Sequence, residues 1–445
     1  MNAPICDFVR AYAARQALRL HMPGHKGRGP LGVEALDITE IPGADSLYEA
    51  SGVIRESEEN ASQLFGSPTL YSTEGSSLCI RAMLYLALLH GKAQGRRPRI
   101  VAGRNAHKTF LSTAALLDLD VVWLNPGPDD SYLSCTVSAE QLDKLLDSMD
   151  APAAVYLTSP DYLGNSVDVA ALAEVCHRRD VLLLVDNAHG AYLRFLPASR
   201  HPIDLGADIC CDSAHKTLPV LTGGAYLHLS PAVPQSLRDQ ARTALALFGS
   251  TSPSYLILQS LDAANLALDG VYREDLARFA GEADALKAHL QAKGWQLQGD
   301  EPLKLTLRAK KRGCTGAELA QALEAENIVC EFADPDFLVL MLTPEVGSGG
   351  LARLEAALDA LPLRPAIDAA PPAFQPAVRA LSIREAALSP CETLPVEKCL
   401  GRILAAATVG CPPAVPILVC GERIDEHALA CFRYYGIECC TVVRE

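Results

Sequence analysis

The tract DSAHKTLPVLTGG, residues 212–224, places Lys216 behind a histidine and ahead of a Gly-Gly pair, directly after an apolar run. An amine in apolar surroundings loses solvation, which favours its neutral form. A neutral amine is what condensation with an aldehyde requires. Upstream, VLLLVDNAHG (181–190) ends a second apolar run on Asp186, with His189 three residues further on. A buried carboxylate is costly unless it meets a cation. A protonated pyridine nitrogen is such a cation, and the pairing keeps the ring an electron sink. The lysine and the aspartate fit the two poles of pyridoxal phosphate.

A phosphate needs donors. STEGSSLCIRAMLYLALL (72–89) supplies Gly75, Ser76 and Ser77 immediately before a helical pattern. Amides at a helix N-terminus, together with serine hydroxyls, hold an anion. Ser213 and His215, beside Lys216, add donors for the same group. GRNAHKTF (103–110) follows another apolar run and offers His107, an imidazole able to stack on a cofactor ring. Lys108 beside it rivals Lys216 for the aldehyde on sequence alone. Lys216 is preferred because it follows the Asp186 strand by one helical unit. Each residue type has a commoner structural role: a solvated lysine, a turn-capping aspartate, a helix-capping serine. The reading rests on their concurrence.

Residues just after strands are exposed to ligands only if strands and helices alternate. RIVAG (99–103), VVWLN (121–125), AAVYLT (153–158), VLLLVD (181–186), DICCDS (208–213) and GAYLHL (224–229) read as strands. Several are continuously apolar, as strands of a mostly parallel sheet buried on both faces are. Segments 138–149 and 169–179 between them have helical spacing, and Ser138 with Gln141 predicts a capping box. The pattern predicts an α/β fold with a central sheet and helices on both faces. A long helical pattern covers 254–293. Strands at 304–309 and 336–342, with helices at 318–327 and 350–361, predict a small α+β domain. The Pro- and Ala-rich stretch 361–377 reads as a linker to a short C-terminal unit. The expected division is 1–60 as an N-terminal segment near the active site and subunit interface, 61–290 as the large domain, 291–365 and 366–445.

Composition excludes several classes. A net charge of −14 leaves no basic face for tracking nucleic acid. No apolar run reaches bilayer length, and no basic-then-apolar leader opens the chain, so neither membrane nor export is expected. The 15 cysteines are odd in number and include no CxxC pair, so no metal is expected and a reducing cytoplasm suits them.

Taken together, these motifs resemble the Orn/Lys/Arg decarboxylase family, pyridoxal-phosphate enzymes of fold type I. LHMPGHKGRGP (20–30) and DITEIPGADSLYEASGVI (37–54) are similar to its N-terminal signature. STEGSS, GRNAHKTF, TSPDYLGNSVDV, VDNAHGAY and DSAHKTLPVLTGG follow in the family's order. LSIREAALSPCETLPVEKCLGRI and CPPAVPILVCGERI resemble its C-terminal domain. The resemblance implies that Lys216 is the Schiff-base lysine and that Asp186 pairs with the pyridine nitrogen. It implies that His107 stacks on the ring, that His189 lies near the reacting carbon, and that Gly75, Ser76, Ser77, Ser213 and His215 surround the phosphate. STSPSY (250–255) also matches, with Thr251 or Ser252 reaching a cofactor, the neighbouring protomer's included. A homodimer or larger assembly with the active site at the interface is implied.

Departures concern Glu74 beside the phosphate turn, Asn187 where the family has an acid (DEAHG), and Cys411, Ala414, Val415 and Cys420 near the C-terminus. The larger members' N-terminal wing domain is lacking, as in the short form. The implied function is decarboxylation of arginine, lysine or ornithine to agmatine, cadaverine or putrescine. Glu422 and Glu74 are candidates to meet the substrate's distal cation. His21, His25 and Lys26 in HMPGHKGRG form either an ordered loop near the active site or an arm on a partner subunit. An aminotransferase or lyase on the same scaffold shares the lysine, aspartate and phosphate cup. A non-catalytic cofactor-binding protein is the reading of a different class.

Overall fold

The computed structural model describes residues 1–127, 132, 134–410 and 416–445. Along the chain the first elements are α1 (Pro4–Ala14), α2 (Val53–Phe65), β1 (Thr69–Ser72), α3 (Gly75–Ala93), β2 (Arg99–Gly103) and α4 (Lys108–Leu117). Then come β3 (Asp120–Leu124), α5 (Ala139–Asp147), β4 (Ala154–Thr158), α6 (Val169–His177) and β5 (Leu182–Asp186). They are followed by β6 (Ile209–Asp212), α7 (Ala214–Thr217), β7 (Ala225–Leu229), α8 (Gln235–Phe248) and α9 (Tyr255–Asp269). Two compact units contain them: Met1–Gly95 with Cys176–Asp275, and Arg96–Val175 with Leu276–Glu445.

In the first unit the strands lie in the order β1-β7-β6-β5. Strands β5 and β6 are parallel, with Asp186 opposite Cys211. The β6–β7 and β7–β1 pairs are antiparallel. Every residue of β5, β6 and β7 is buried, which is why their sequences are apolar almost without interruption. Helix α3 packs against α8 and onto β6 and β7.

In the second unit β4, β2 and β3 pair in parallel in that order. A four-stranded antiparallel sheet follows, built from Leu297–Gln298, Lys304–Arg308, Phe332–Ala333 and Phe337–Met341. Helices Gly316–Ala325 and Gly347–Asp359 belong to this part. Near the C-terminus two short antiparallel strand pairs and the helix Glu426–Tyr434 close around Leu404, Ile424, Phe432 and Val442.

The six expected strands are present within a residue or so of their expected limits. Two expectations change. The helical pattern over 254–293 is two helices, Tyr255–Asp269 and Tyr272–Ala292, because Gly270 leaves helical backbone at φ −111° and ψ −139°. Ser138 caps α5 by accepting from the Gln141 amide, but the Gln141 side chain donates to the Asn125 carbonyl instead of closing the box. Helices α1 and α2 and the edge strand β1 were not anticipated. No described helix is long and apolar enough to cross a membrane.

Candidate active site

The two poles sit on neighbouring parallel strands of the first unit. Asp186 ends β5, is 2% exposed, and accepts from the Ala188 amide at 3.1 Å and from the Cys211 thiol at 3.6 Å, both on Oδ1. The chain leaves β6 at Asp212 and turns at once into the four-residue helix α7, which carries Lys216. Lys216 is half-buried and its Nζ lies 3.1 Å from Nε2 of His189, itself buried in the loop after β5. The lysine therefore sits at the rim of the site with an imidazole to exchange protons with.

The phosphate-type donors gather beside it. Helix α3 is 19 residues long and starts at Gly75, so its first-turn amides and macrodipole point at this spot. Ser76 and Ser213 bring their hydroxyls to 2.7 Å of each other, joining that helix to the segment leading to Lys216. Ser77 is half-buried in the same first turn. His215 accepts no charge readily: burial pushes its pKa down, and its ring nitrogen Nδ1 bonds the Gly224 carbonyl at 3.0 Å. Gly75 has φ +69° and donates its N–H to the Gly223 carbonyl at 2.7 Å. Gly223 has φ +99°, and a Cβ there would stand 2.8 Å from the Thr73 carbonyl oxygen. The Gly-Gly pair of the Lys216 motif thus exists to seat the turn ahead of α3. These hydroxyls, amides and the neutralised imidazole fit a phosphate monoester, and Asp186 with Lys216 fits the ring and aldehyde of pyridoxal phosphate.

Glu74 stands at the N-cap of α3 without capping it; its carboxylate accepts the Ser250 amide at 2.6 Å. It therefore anchors the tract bearing Thr251 and Ser252, both of which are exposed. The HMPGHKGRG segment is ordered by its own polar contacts: Tyr12 to His21 at 2.6 Å, His25 to Asp37 at 3.1 Å and Lys26 to the His21 carbonyl at 2.5 Å.

Sequence reasoning missed what lies beneath the poles. Asp212, the last residue of β6, is fully buried and receives His201 Nε2 and His228 Nε2, each at 3.1 Å, and Asn187 Nδ2 at 2.7 Å. The Cys210 thiol adds a weaker contact at 3.6 Å. Burial alone would push this carboxyl up; the two imidazoles outweigh it and hold it well below the usual carboxylate range. The signal was present, since a carboxylate ending a wholly apolar strand needs partners as much as Asp186 does. His201, Cys210 and Asp212 place three ligand-type atoms within 4.8 Å of one another, but the nitrogen and the sulfur are already spent on the carboxylate.

In the second unit His107 caps α4: its Nδ1 accepts the Thr109 amide at 3.2 Å, with the Thr109 hydroxyl at 3.0 Å. Lys108 is exposed on the first residue of that helix, which removes the reason to prefer it to Lys216. Glu422 is not available to a substrate cation. It is buried in a bidentate pair with Arg104, both N–O distances being 2.7 Å, and it also accepts the Val419 amide at 2.9 Å. A carboxylate gripped on both oxygens by a guanidinium already has its charge compensated. Cys420 is buried, while Cys411, Ala414 and Val415 lie outside the described residues.

Comparison with known proteins agrees with this geometry. Residues 3–298 match the model of the Orn/Lys/Arg decarboxylase major domain, and residues 372–440 match that of the Orn/Lys/Arg decarboxylase C-terminal domain. The uncharacterized protein YaaO of Bacillus subtilis is 30% identical, over 96% of this chain and 93% of its own. A protein named arginine decarboxylase from Halalkalibacterium halodurans is also 30% identical, over 97% and 93%. The crystal structure of the Francisella novicida lysine decarboxylase LdcF superposes with a TM-score of 0.81 over all of this chain and 81% of that one, at 17% identity. That likeness shows the fold, the α/β architecture of fold type I with a mostly parallel central sheet. With both family domains matched in order, the chain belongs to the Orn/Lys/Arg decarboxylase family.

Proposed function

We propose that this protein decarboxylates a basic L-amino acid (arginine, lysine or ornithine) with pyridoxal 5'-phosphate, releasing CO₂ and agmatine, cadaverine or putrescine. One observation carries the reading: Asp186 and the Lys216 helix leave adjacent parallel strands of one unit, and Lys216 Nζ is 3.1 Å from His189 Nε2. Bound there, the cofactor supplies an aldehyde for the substrate amine and a protonated ring that accepts the electrons left when CO₂ departs. Asp186 holds the charge opposite the ring nitrogen, fixed through the Ala188 amide and the Cys211 thiol. The α3 N-terminus with Ser76, Ser77, Ser213 and His215 holds the phosphate. His189 takes the proton that Lys216 must lose to act as a nucleophile, and Lys216 returns a proton to the substrate's α-carbon. His107 enters as the ring-stacking residue on the family match alone.

Division into 1–60, 61–290, 291–365 and 366–445 is supported by the limits of the two family matches, 3–298 and 372–440. A homodimer or larger assembly is supported by the N-terminal segment, where Leu18, Leu20 and Leu31 are each at least 80% exposed. Single apolar residues at surfaces are ordinary, but three long ones on one ordered segment suit burial against another subunit. Thr251 and Ser252, exposed in the single chain, would then serve the neighbouring protomer's cofactor. A cytoplasmic location is supported by thiols such as Cys79, Cys210 and Cys211, which burial holds protonated.

The test is a panel of L-amino acids with purified protein, amine and CO₂ being measured by mass spectrometry, beside Lys216→Ala. One basic amino acid yields its amine, and the variant yields none. Keto-acid production would assign transamination instead. A visible cofactor band without turnover of any basic amino acid would assign a binding role.

A further inference from the structure

Asn187 stands where the family carries an acid, and its surroundings give the reason. Its Nδ2 donates to Asp212 at 2.7 Å, while its Oδ1 is buried without a hydrogen-bond partner among the described residues. The side chain is therefore held by its donor end. An acid at this position would face the Asp212 carboxylate across the same distance, with no cation between them. Asn187 also opens the loop that carries His189 and follows Asp186 directly. That loop closes on itself through the Gly190 amide to the Asn187 carbonyl at 2.8 Å. A Cβ at Gly190 would meet the Asn187 Oδ1 at 2.0 Å, so the loop is wrapped tightly around this amide.

Asp212 reaches in the other direction as well. Its own backbone runs into Ser213 and the helix of Lys216. Its imidazole partners come from the 196–207 loop (His201) and from β7 (His228), and His228 bonds the Thr69 hydroxyl of β1 at 2.9 Å. One buried carboxylate thus ties together the loop after β5, the end of β6 and the two antiparallel strands beside them.

We propose that Asp212 is a positioning residue that fixes the loop of Asp186 and His189 against the Lys216 helix through the side-chain amide of Asn187. This inference rests on the cofactor reading above, but its first measurement does not need the cofactor. A single hydrogen bond to a carboxylate contributes about 1.5–3 kcal/mol, on the order of tenfold or more in an opening equilibrium. In cofactor-free protein, Asn187→Ala and Asp212→Asn should each speed amide exchange over residues 188–190 by about tenfold or more. Asn187→Ala removes the bond and Asp212→Asn removes the charge that strengthens it, so the double variant should exchange no faster than the faster single variant. His201→Ala should lower the melting temperature while leaving exchange over 188–190 unchanged.

The second measurement is the dissociation constant for pyridoxal 5'-phosphate, read from its absorbance on titration. Asn187→Ala should weaken it by about tenfold, and Asp212→Asn by a similar factor. Unchanged exchange in Asn187→Ala, or singles whose effects add fully in the double, would overturn the proposal. Faster exchange with unchanged cofactor affinity would overturn the positioning role. If Asp212→Asn does not fold, Asn187→Ala alone decides. A wild-type protein that binds no cofactor would instead refute the reading of the site, leaving the exchange result intact.

Discussion

Two buried carboxylates, one in each unit, are stabilised by different means. Glu422 meets a permanent cation: Arg104 grips it with two bonds of 2.7 Å, and the guanidinium also lies 5.2 Å from the Trp123 ring centre. Asp212 meets two imidazoles and an amide. The planar guanidinium fork matches both carboxylate oxygens at once, so the Arg104–Glu422 pair locks distant stretches of chain, 318 residues apart. The Asp212 partners lie within 25 residues along the chain, and Asp212 itself leads into the helix that carries Lys216. One carboxylate serves the architecture and the other serves the site.

The largest effect should come from breaking the first. Arg104→Met leaves Glu422 buried and uncompensated, and should cost about 3–5 kcal/mol of stability in urea unfolding. Arg104→Met with Glu422→Met should recover most of that loss, since a buried pair exchanged for apolar groups is often neutral. A double variant as unstable as the single one would mean that the pair does more than neutralise itself. The next effect comes from making the second carboxylate resemble an unpaired one. Asn187→Asp restores the acid of the family pattern, but against Asp212 it sets two carboxylates together without a cation. We expect a loss of about 2–3 kcal/mol, smaller than for Arg104→Met because Asp212 keeps its two imidazole partners. Stability equal to wild type would show that Asp212 tolerates a second acid and that Asn187 is there for another reason.

The strand ends that carry Asp186 and lead to Lys216, and the helix start at Gly75, were legible because each follows from its own local run of residues. Strand runs such as VLLLVD announce burial on both faces, and the residue ending such a run has few places to go. Glu422 was misjudged for the opposite reason. Nothing in CPPAVPILVCGERI reveals an arginine that follows β2 hundreds of residues earlier. Strand β1 is short and half polar (TLYS), so neither period nor composition separates it from a loop. The break at Gly270 was visible as a glycine, but one glycine inside a strong helical pattern does not decide between a kink and an end. Asp212 was the avoidable omission, because the argument applied to Asp186 holds one strand over.

The smallest expected effect tests whether Asp212 truly differs from Glu422 in its response to pH. Burial drives the pKa of His228 below its ordinary value of 6.5, against the opposing pull of Asp212, with His201 and Arg194 adding to the lowering. A histidine with a lowered native pKa is favoured neutral in the fold and takes up a proton more readily when unfolded. Its contribution is therefore complete above about pH 6.5 and is lost as pH falls through the native value. Asp212 follows the same sign at lower pH: its contribution is present above about pH 4 and is lost only in stronger acid. Urea midpoints measured from pH 8 down to pH 5 should accordingly decline on the acid side above the range in which Asp212 is lost. His228→Gln keeps a donor for Asp212 but cannot take up that proton, so its decline over the same window should be shallower. Arg104→Met with Glu422→Met, which removes both members of the pair, should keep the wild-type slope. Parallel slopes in wild type and His228→Gln would mean that the imidazole does not report on the fold, and the contrast between the two carboxylates would reduce to their strength alone.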